Sequence, residues 1–116
     1  MKKDILIKFN PRNRIHDLES YKSSLKEKLK GRVEEAYIFG SVARNEFSEK
    51  SDIDLILVVA TKRPFHERIL DFEDIHTGEN EMDILIYTPS EFLSQKKREQ
   101  EGGFWSSVAK DMIRIV

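Results

Sequence analysis

The chain has no cysteine, only three prolines and one tryptophan in 116 residues, and no apolar run longer than Leu55 to Ala60. Without cysteine there can be no disulfide framework, no thiolate zinc site and no thiol nucleophile. An apolar run that short cannot cross a bilayer as a helix. The opening segment, MKKDILIKFN, carries two early lysines, but Asp4 and Lys8 interrupt its apolar stretch too soon for a secretory signal. Charge of one sign is also missing: 20 Lys and Arg stand against 21 Asp and Glu, a net charge of −1. No overall field therefore draws the chain to nucleic acid or to an anionic membrane, and basic–aromatic interleaving is absent. An anionic ligand would have to be held by local groups. These absences lead us to expect a soluble cytoplasmic protein with no membrane partner and no nucleic-acid partner.

What is present suits one small globular domain. Hydrophobic residues make up 39% and charged residues 35% of the chain, a mixture that folds and keeps a strongly charged surface. The length fits a single domain over residues 1–116. Residues 4–9 can form a short strand that ends at Asn10-Pro11. Ile15, Leu18, Tyr21, Leu25 and Leu29 recur at helical spacing before Gly31, which predicts a helix over about 14–30. A strand from Val33 to Phe39 breaks at Gly40-Ser41, and a second runs from Asp52 to Ala60. Pro64 opens a helix with an expected apolar face of Phe65, Ile69 and Phe72, closed by Gly78. Residues 81–87 read as a third strand. Thr88-Pro89-Ser90-Glu91 has the form of a capping box for a helix reaching about Gln100. Phe104 to Lys110 reads as a further helical turn or two with Phe104 and Trp105 in the core, followed by a terminal strand over 113–116. This order predicts an α+β fold, a small mixed sheet with core strand order 1-2-3 and helices mainly on one face.

The chemistry concentrates in three short stretches. Side chains alternate along a strand, so Asp52 and Asp54 point the same way. Two carboxylates converging at one strand end repel unless a cation lies between them, and hard oxygen ligands suit Mg²⁺. Asp83 sits near the start of the third strand in an otherwise apolar run, where an unpaired carboxylate is costly. If strands two and three are parallel neighbours and strand one is antiparallel to strand two, all three aspartates and Gly40-Ser41 meet at one end of the sheet. Gly40 lets the chain turn and backbone N–H groups approach a phosphate, more so if 41–44 open a short helix. Ser41 adds a hydroxyl. Arg44 can reach a phosphate, although on position alone a solvent-facing arginine is as good a reading. His16, His66 and His76 share no ligand spacing and are read as surface residues, and Lys62-Arg63 as a solvated loop.

GSVARNEFSEKSDIDLILV together with EMDILIY resembles the minimal nucleotidyltransferase family of the DNA polymerase β-like superfamily. The family pattern is Gly-Ser, ten residues, Asp-x-Asp, and a third aspartate on the next strand. Gly40-Ser41, residues 42–51, Asp52-Ile53-Asp54 and Asp83 match it, and the resemblance spans about 33–116. Relatives often carry glycine where this chain has Asn45, a residue that also tolerates positive φ. The resemblance implies the nucleotidyltransferase fold and in-line attack on the α-phosphate of a nucleoside triphosphate, with ATP as donor and two Mg²⁺ ions. Asp52 and Asp54 would bind metal, and Asp83 would be a third ligand or the base toward the incoming hydroxyl. Gly40, Ser41 and Arg44 would bind the nucleotide. It also implies an acceptor on another chain: a tyrosine of a HEPN-domain partner toxin, making this chain an antitoxin and a protein adenylyltransferase. Two alternatives stay open, an antitoxin that acts by binding alone and transfer to a small molecule, whose pocket would require a homodimer.

Overall fold

The computed structural model describes residues 14–44, 53–75, 82–98 and 102–116, with the backbone alone at 14–18 and 41. The proposed strand over 4–9, Asn45, Asp52, His76 and Gly78 lie outside the described residues. The elements run α1 (Arg14–Leu29), β1 (Glu35–Phe39), α2 (Gly40–Ala43), β2 (Ile53–Val58), a 3₁₀ helix (Phe65–Ile75), β3 (Met82–Tyr87), α3 (Pro89–Lys96), α4 (Gly103–Asp111) and β4 (Ile113–Arg114).

The strands form one sheet in the order β3-β2-β1-β4. β1 is antiparallel to β2 and to β4, and β2 is parallel to β3. The β2–β3 connection carries the 3₁₀ helix, the crossover that a parallel pair needs. β2 has partners on both sides, so it reads as an unbroken apolar run: Leu55, Ile56 and Leu57 are fully buried. The α+β class, the mixed sheet and the core order 1-2-3 are as expected, with β4 added beside β1.

Helices cover both faces, which corrects the expectation of one mainly covered face. Tyr21, Leu25 and Leu29 of α1 join Phe72 and Ile75 of the 3₁₀ helix against Ala36, Ile38, Leu55 and Leu57. On the other face, Phe92 of α3 and Trp105 and Val108 of α4 pack on Tyr37, Phe39, Ile56 and Val58. The physical cause is the sheet itself: β1 and β2 are apolar at odd and even positions alike, and both sides need a cover.

The segment after Pro64 also departs from expectation. It is 3₁₀ rather than α, interrupted at Phe72 (φ −130°, ψ 18°). Phe72 and Ile75 share the buried side, but the interruption at Phe72 breaks the repeat, so Ile69, three residues earlier, does not join them and is exposed, as is Phe65. Arg68 is the segment's third buried residue. Its guanidinium donates to the Arg63 and Ile86 carbonyls at 2.9 and 3.0 Å and to both Glu91 carboxylate oxygens at 2.6 and 3.2 Å. Glu91 is also the capping-box residue of α3: it accepts from the Thr88 N–H at 2.9 Å, and its own N–H donates to the Thr88 hydroxyl at 3.2 Å. One buried cation thus ties the crossover to β3 and to the start of α3.

This tie predicts a stability change with a definite pH signature. The Arg68 hydrogen bonds, and then the Thr88 N–H, hold the Glu91 carboxyl below its ordinary value of 4.5. A depressed folded value means that the stabilisation is complete above about 4.5 and disappears as pH falls through the lower, folded value. Arg68→Ala removes the buried partner of a half-exposed carboxylate and strands two carbonyls, with an expected loss of about 2 kcal/mol at pH 7. Thermal unfolding should show the gap between wild type and Arg68→Ala narrowing between pH 7 and pH 3. A gap that does not change with pH would contradict this account.

Candidate functional site

β1 leads straight into the α2 turn at Gly40, with no loop between them. Register then sets the site. Phe39 of β1 lies opposite Asp54 of β2, and Asp54 lies opposite Asp83 of β3. Paired residues on neighbouring strands project to the same face, so Asp83, Asp54 and Phe39 form a row at one end of the sheet. Asp54 is half-buried in the middle and Asp83 is exposed at the outer strand.

Gly40 is where the turn and the carboxylate meet. Its φ is +77°, a conformation costly for residues with a Cβ. A Cβ placed there would overlap Asp54 Oδ2 and lie 3.3 Å from Asp54 Cγ. The glycine is therefore required twice over, by the backbone and by the carboxylate packed against it. A short helix, considered in sequence over 41–44, forms at Gly40–Ala43, with the Arg44 N–H donating to the Gly40 carbonyl at 3.2 Å.

The structure thus brings Gly40, Asp54 and Asp83 together, with the Ser41 backbone in the same turn; Asp52 lies outside the described residues. Among the described residues no group of three His, Cys, Asp or Glu side chains forms a metal cage. The cross-strand carboxylates supply hard oxygen donors on one face, a donor set that fits a divalent cation keeping waters and substrate oxygens as its other ligands. Arg44 bonds Asp111 of α4 at 2.7 Å. His66 is exposed, with Glu67 3.5 Å away, and Lys62 and Arg63 are exposed as expected.

α4 supplies residues that the sequence analysis did not place at the site. A pocket of about 140 Å³ lies between α2 and α4. Phe39 and Gly40 line one side, Phe104, Ser107 and Val108 another, and the Arg44–Asp111 pair sits across it. Trp105 is buried as expected, but Phe104 is 55% exposed, a correction to its assignment to the core. Adjacent helix positions point about 100° apart, so the core takes one of the two aromatics and leaves the other at the rim. No signal in sequence could have paired Arg44 with a residue 67 positions away.

A family model described as Nucleotidyltransferase domain matches residues 18–116. The chain belongs to the nucleotidyltransferase domain family. Two curated relatives come from Methanocaldococcus jannaschii. "Putative protein adenylyltransferase MJ0128" is 49% identical over 57 residues, 49% of this chain and 55% of the relative. "Putative protein adenylyltransferase MJ0604" is 39% identical over 41 residues, 35% of this chain and 41% of the relative. The chain therefore spans about half the length of the curated relatives it matches. A solved structure described as "a putative nucleotidyltransferase from Sulfolobus solfataricus" superposes with a TM-score of 0.53 at 21% identity, covering 98% of this chain and 89% of that one. That likeness speaks for the fold alone. No helix among the described residues of this nucleotidyltransferase domain is long and apolar enough to cross a membrane.

The domain's own tyrosines are poor acceptors for a transferred group. It has three. Tyr21 and Tyr37 are buried and Tyr87 is half-buried. Burial pushes the Tyr21 and Tyr87 hydroxyls up, and pushes Tyr37 up to about 12, helped by the hydrogen bond that Tyr37 donates to Glu35.

Proposed function

We propose that this nucleotidyltransferase domain is a protein adenylyltransferase that moves AMP from ATP to a hydroxyl on a separate protein, and that the acceptor is a tyrosine of a HEPN-domain toxin for which this chain is the antitoxin. The observation that carries the transfer reading is the cross-strand pair Asp54–Asp83 with Gly40 packed against it. The printed names of the two relatives support a protein as acceptor, and the buried or half-buried tyrosines of this chain support one on another molecule. The site would work in the cytoplasm.

The reaction joins the acceptor oxygen to the α-phosphorus and breaks the bond from that phosphorus to the bridging oxygen, so pyrophosphate leaves. Asp52, Asp54 and Asp83 would hold Mg²⁺, which supplies neutralisation of charge on the phosphate oxygens. Asp54, fixed in the middle of the row, sets where the α-phosphate sits relative to the sheet. Asp83 lies exposed at the outer strand, open to an incoming hydroxyl, and can take its proton. The backbone at Gly40 and Ser41 admits phosphate oxygens close to the main chain because no Cβ intervenes at Gly40. Arg44 adds a cation to the same side.

The test is to incubate the purified protein with ATP labelled on the α-phosphate, Mg²⁺ and the product of its neighbouring gene. Label is expected on a tyrosine of the partner, and to disappear when that tyrosine is replaced by Phe. A partner that binds the chain and acquires no label would refute the proposal.

A further inference from the structure

The pocket between α2 and α4 is next to the carboxylate row but made of different chemistry. Its walls are the rings of Phe39 and Phe104 and the side chain of Val108, and Asp111 stands at its polar side. The Phe104 ring meets Phe39 edge-on at 6.1 Å and Trp105 edge-on at 5.8 Å. Held from two sides, it still leaves more than half of its surface uncovered. An exposed aromatic ring fixed in place is a stacking platform, because the entropy of ordering it is already spent in the fold.

Three features limit what can lie there. The volume, about 140 Å³, is close to that of a cavity that holds one benzene ring, so the pocket takes a single flat ring system and leaves any sugar and phosphates outside. The Asp111 carboxylate, paired with Arg44 at 2.7 Å, has further lone pairs that accept hydrogen bonds from ring or exocyclic N–H groups. The pocket wall begins at Phe39, one strand from Asp54, a step of about 4.8 Å. A molecule with its reacting phosphorus at Asp54 can therefore place a ring against α4.

We infer that this pocket receives the nucleobase of the donor nucleotide, stacked on Phe104. This rests on the nucleotidyltransferase reading above and names the part of the chain that distinguishes a nucleotide from a bare polyphosphate. Phe104 is a binding residue in this account and takes no part in bond making. Asp111 contributes a hydrogen-bond acceptor for the base edge while it holds Arg44.

The experiment measures binding by calorimetry in Mg²⁺, with α,β-methylene-ATP, which cannot transfer AMP, and with inorganic tripolyphosphate. Phe104→Ala should weaken the nucleotide between about 5-fold and about 150-fold, the range for losing one base–aromatic stack, and leave tripolyphosphate unchanged. Phe104→Leu, which keeps apolar bulk without the ring face, should resemble Phe104→Ala, and Phe104→Trp should bind as wild type does. Thermal unfolding confirms that each variant folds. Equal nucleotide affinity in wild type, Phe104→Ala and Phe104→Leu would overturn the inference and leave the transferase reading standing. So would unchanged nucleotide affinity with lost transfer to the partner, which would give the pocket to the acceptor. A wild-type chain that binds neither ligand would refute the nucleotidyltransferase reading and this inference with it.

Discussion

Asp54→Asn is expected to lower AMP transfer at least about a thousandfold while the fold survives. The amide has the shape of the carboxylate it replaces and sits half-buried, so packing changes little. Its charge, however, is lost in the middle of the row. Asp54 is opposite Phe39 on one side and Asp83 on the other, and Gly40 lies directly against its carboxylate. Groups placed where charge must be stabilised in a transition state typically carry factors of about 10²–10³ each, and a carboxylate that also binds metal carries more. Asp54→Glu should not rescue. The extra methylene drives the carboxylate toward Gly40, where the present one already occupies the space a Cβ would need. Single-turnover transfer of labelled AMP, with circular dichroism to confirm folding, measures this. A folded Asp54→Asn protein within tenfold of wild type would remove Asp54 from the chemistry.

Much of this site is legible in sequence because strand geometry is simple. A period of two, an apolar run with a carboxylate near its start, and a crossover long enough for a parallel pair make Asp54 and Asp83 neighbours in sequence reasoning once the two strands pair, as they do. Gly40 is legible for a similar reason, since it falls where a strand ends and precedes the carboxylate motif. Other features depend on information that no local pattern carries. Apolar residues three and four apart are compatible with either kind of helix, and no local pattern marks the interruption at Phe72, so the segment after Pro64 reads as an α-helix with Phe65 and Ile69 inward. Arg68 looks like a solvent residue until Glu91 and the Ile86 carbonyl, 23 and 18 positions on, are folded against it. Phe104 and Trp105 carry equal apolar weight in sequence, and only the direction in which α4 docks decides which is buried. The Arg44–Asp111 pair and the pocket it lines are tertiary in the same sense.

Gly40→Ala should be nearly as damaging to activity as losing the carboxylate, and its effect divides into two separable parts. The first is backbone strain: holding an alanine at φ +77° costs about 1–2 kcal/mol whatever surrounds it. The second is steric, since the new methyl overlaps Asp54 Oδ2 and one of the two must move. A displacement of about 1 Å in a positioned catalytic group costs about a hundredfold in rate, so transfer should fall by about 10²-fold or more. Unfolding experiments on Gly40→Ala, Asp54→Ala and the double variant separate the parts. With the Asp54 side chain cut back to its Cβ, the overlap with the carboxylate is relieved and the backbone strain remains. The stability penalty of Gly40→Ala should therefore shrink in the Asp54→Ala background but not vanish, a coupling between sites in contact. If the two substitutions are strictly additive, the close approach of Gly40 to Asp54 does not constrain the carboxylate, and any loss of transfer in Gly40→Ala must come from the turn alone.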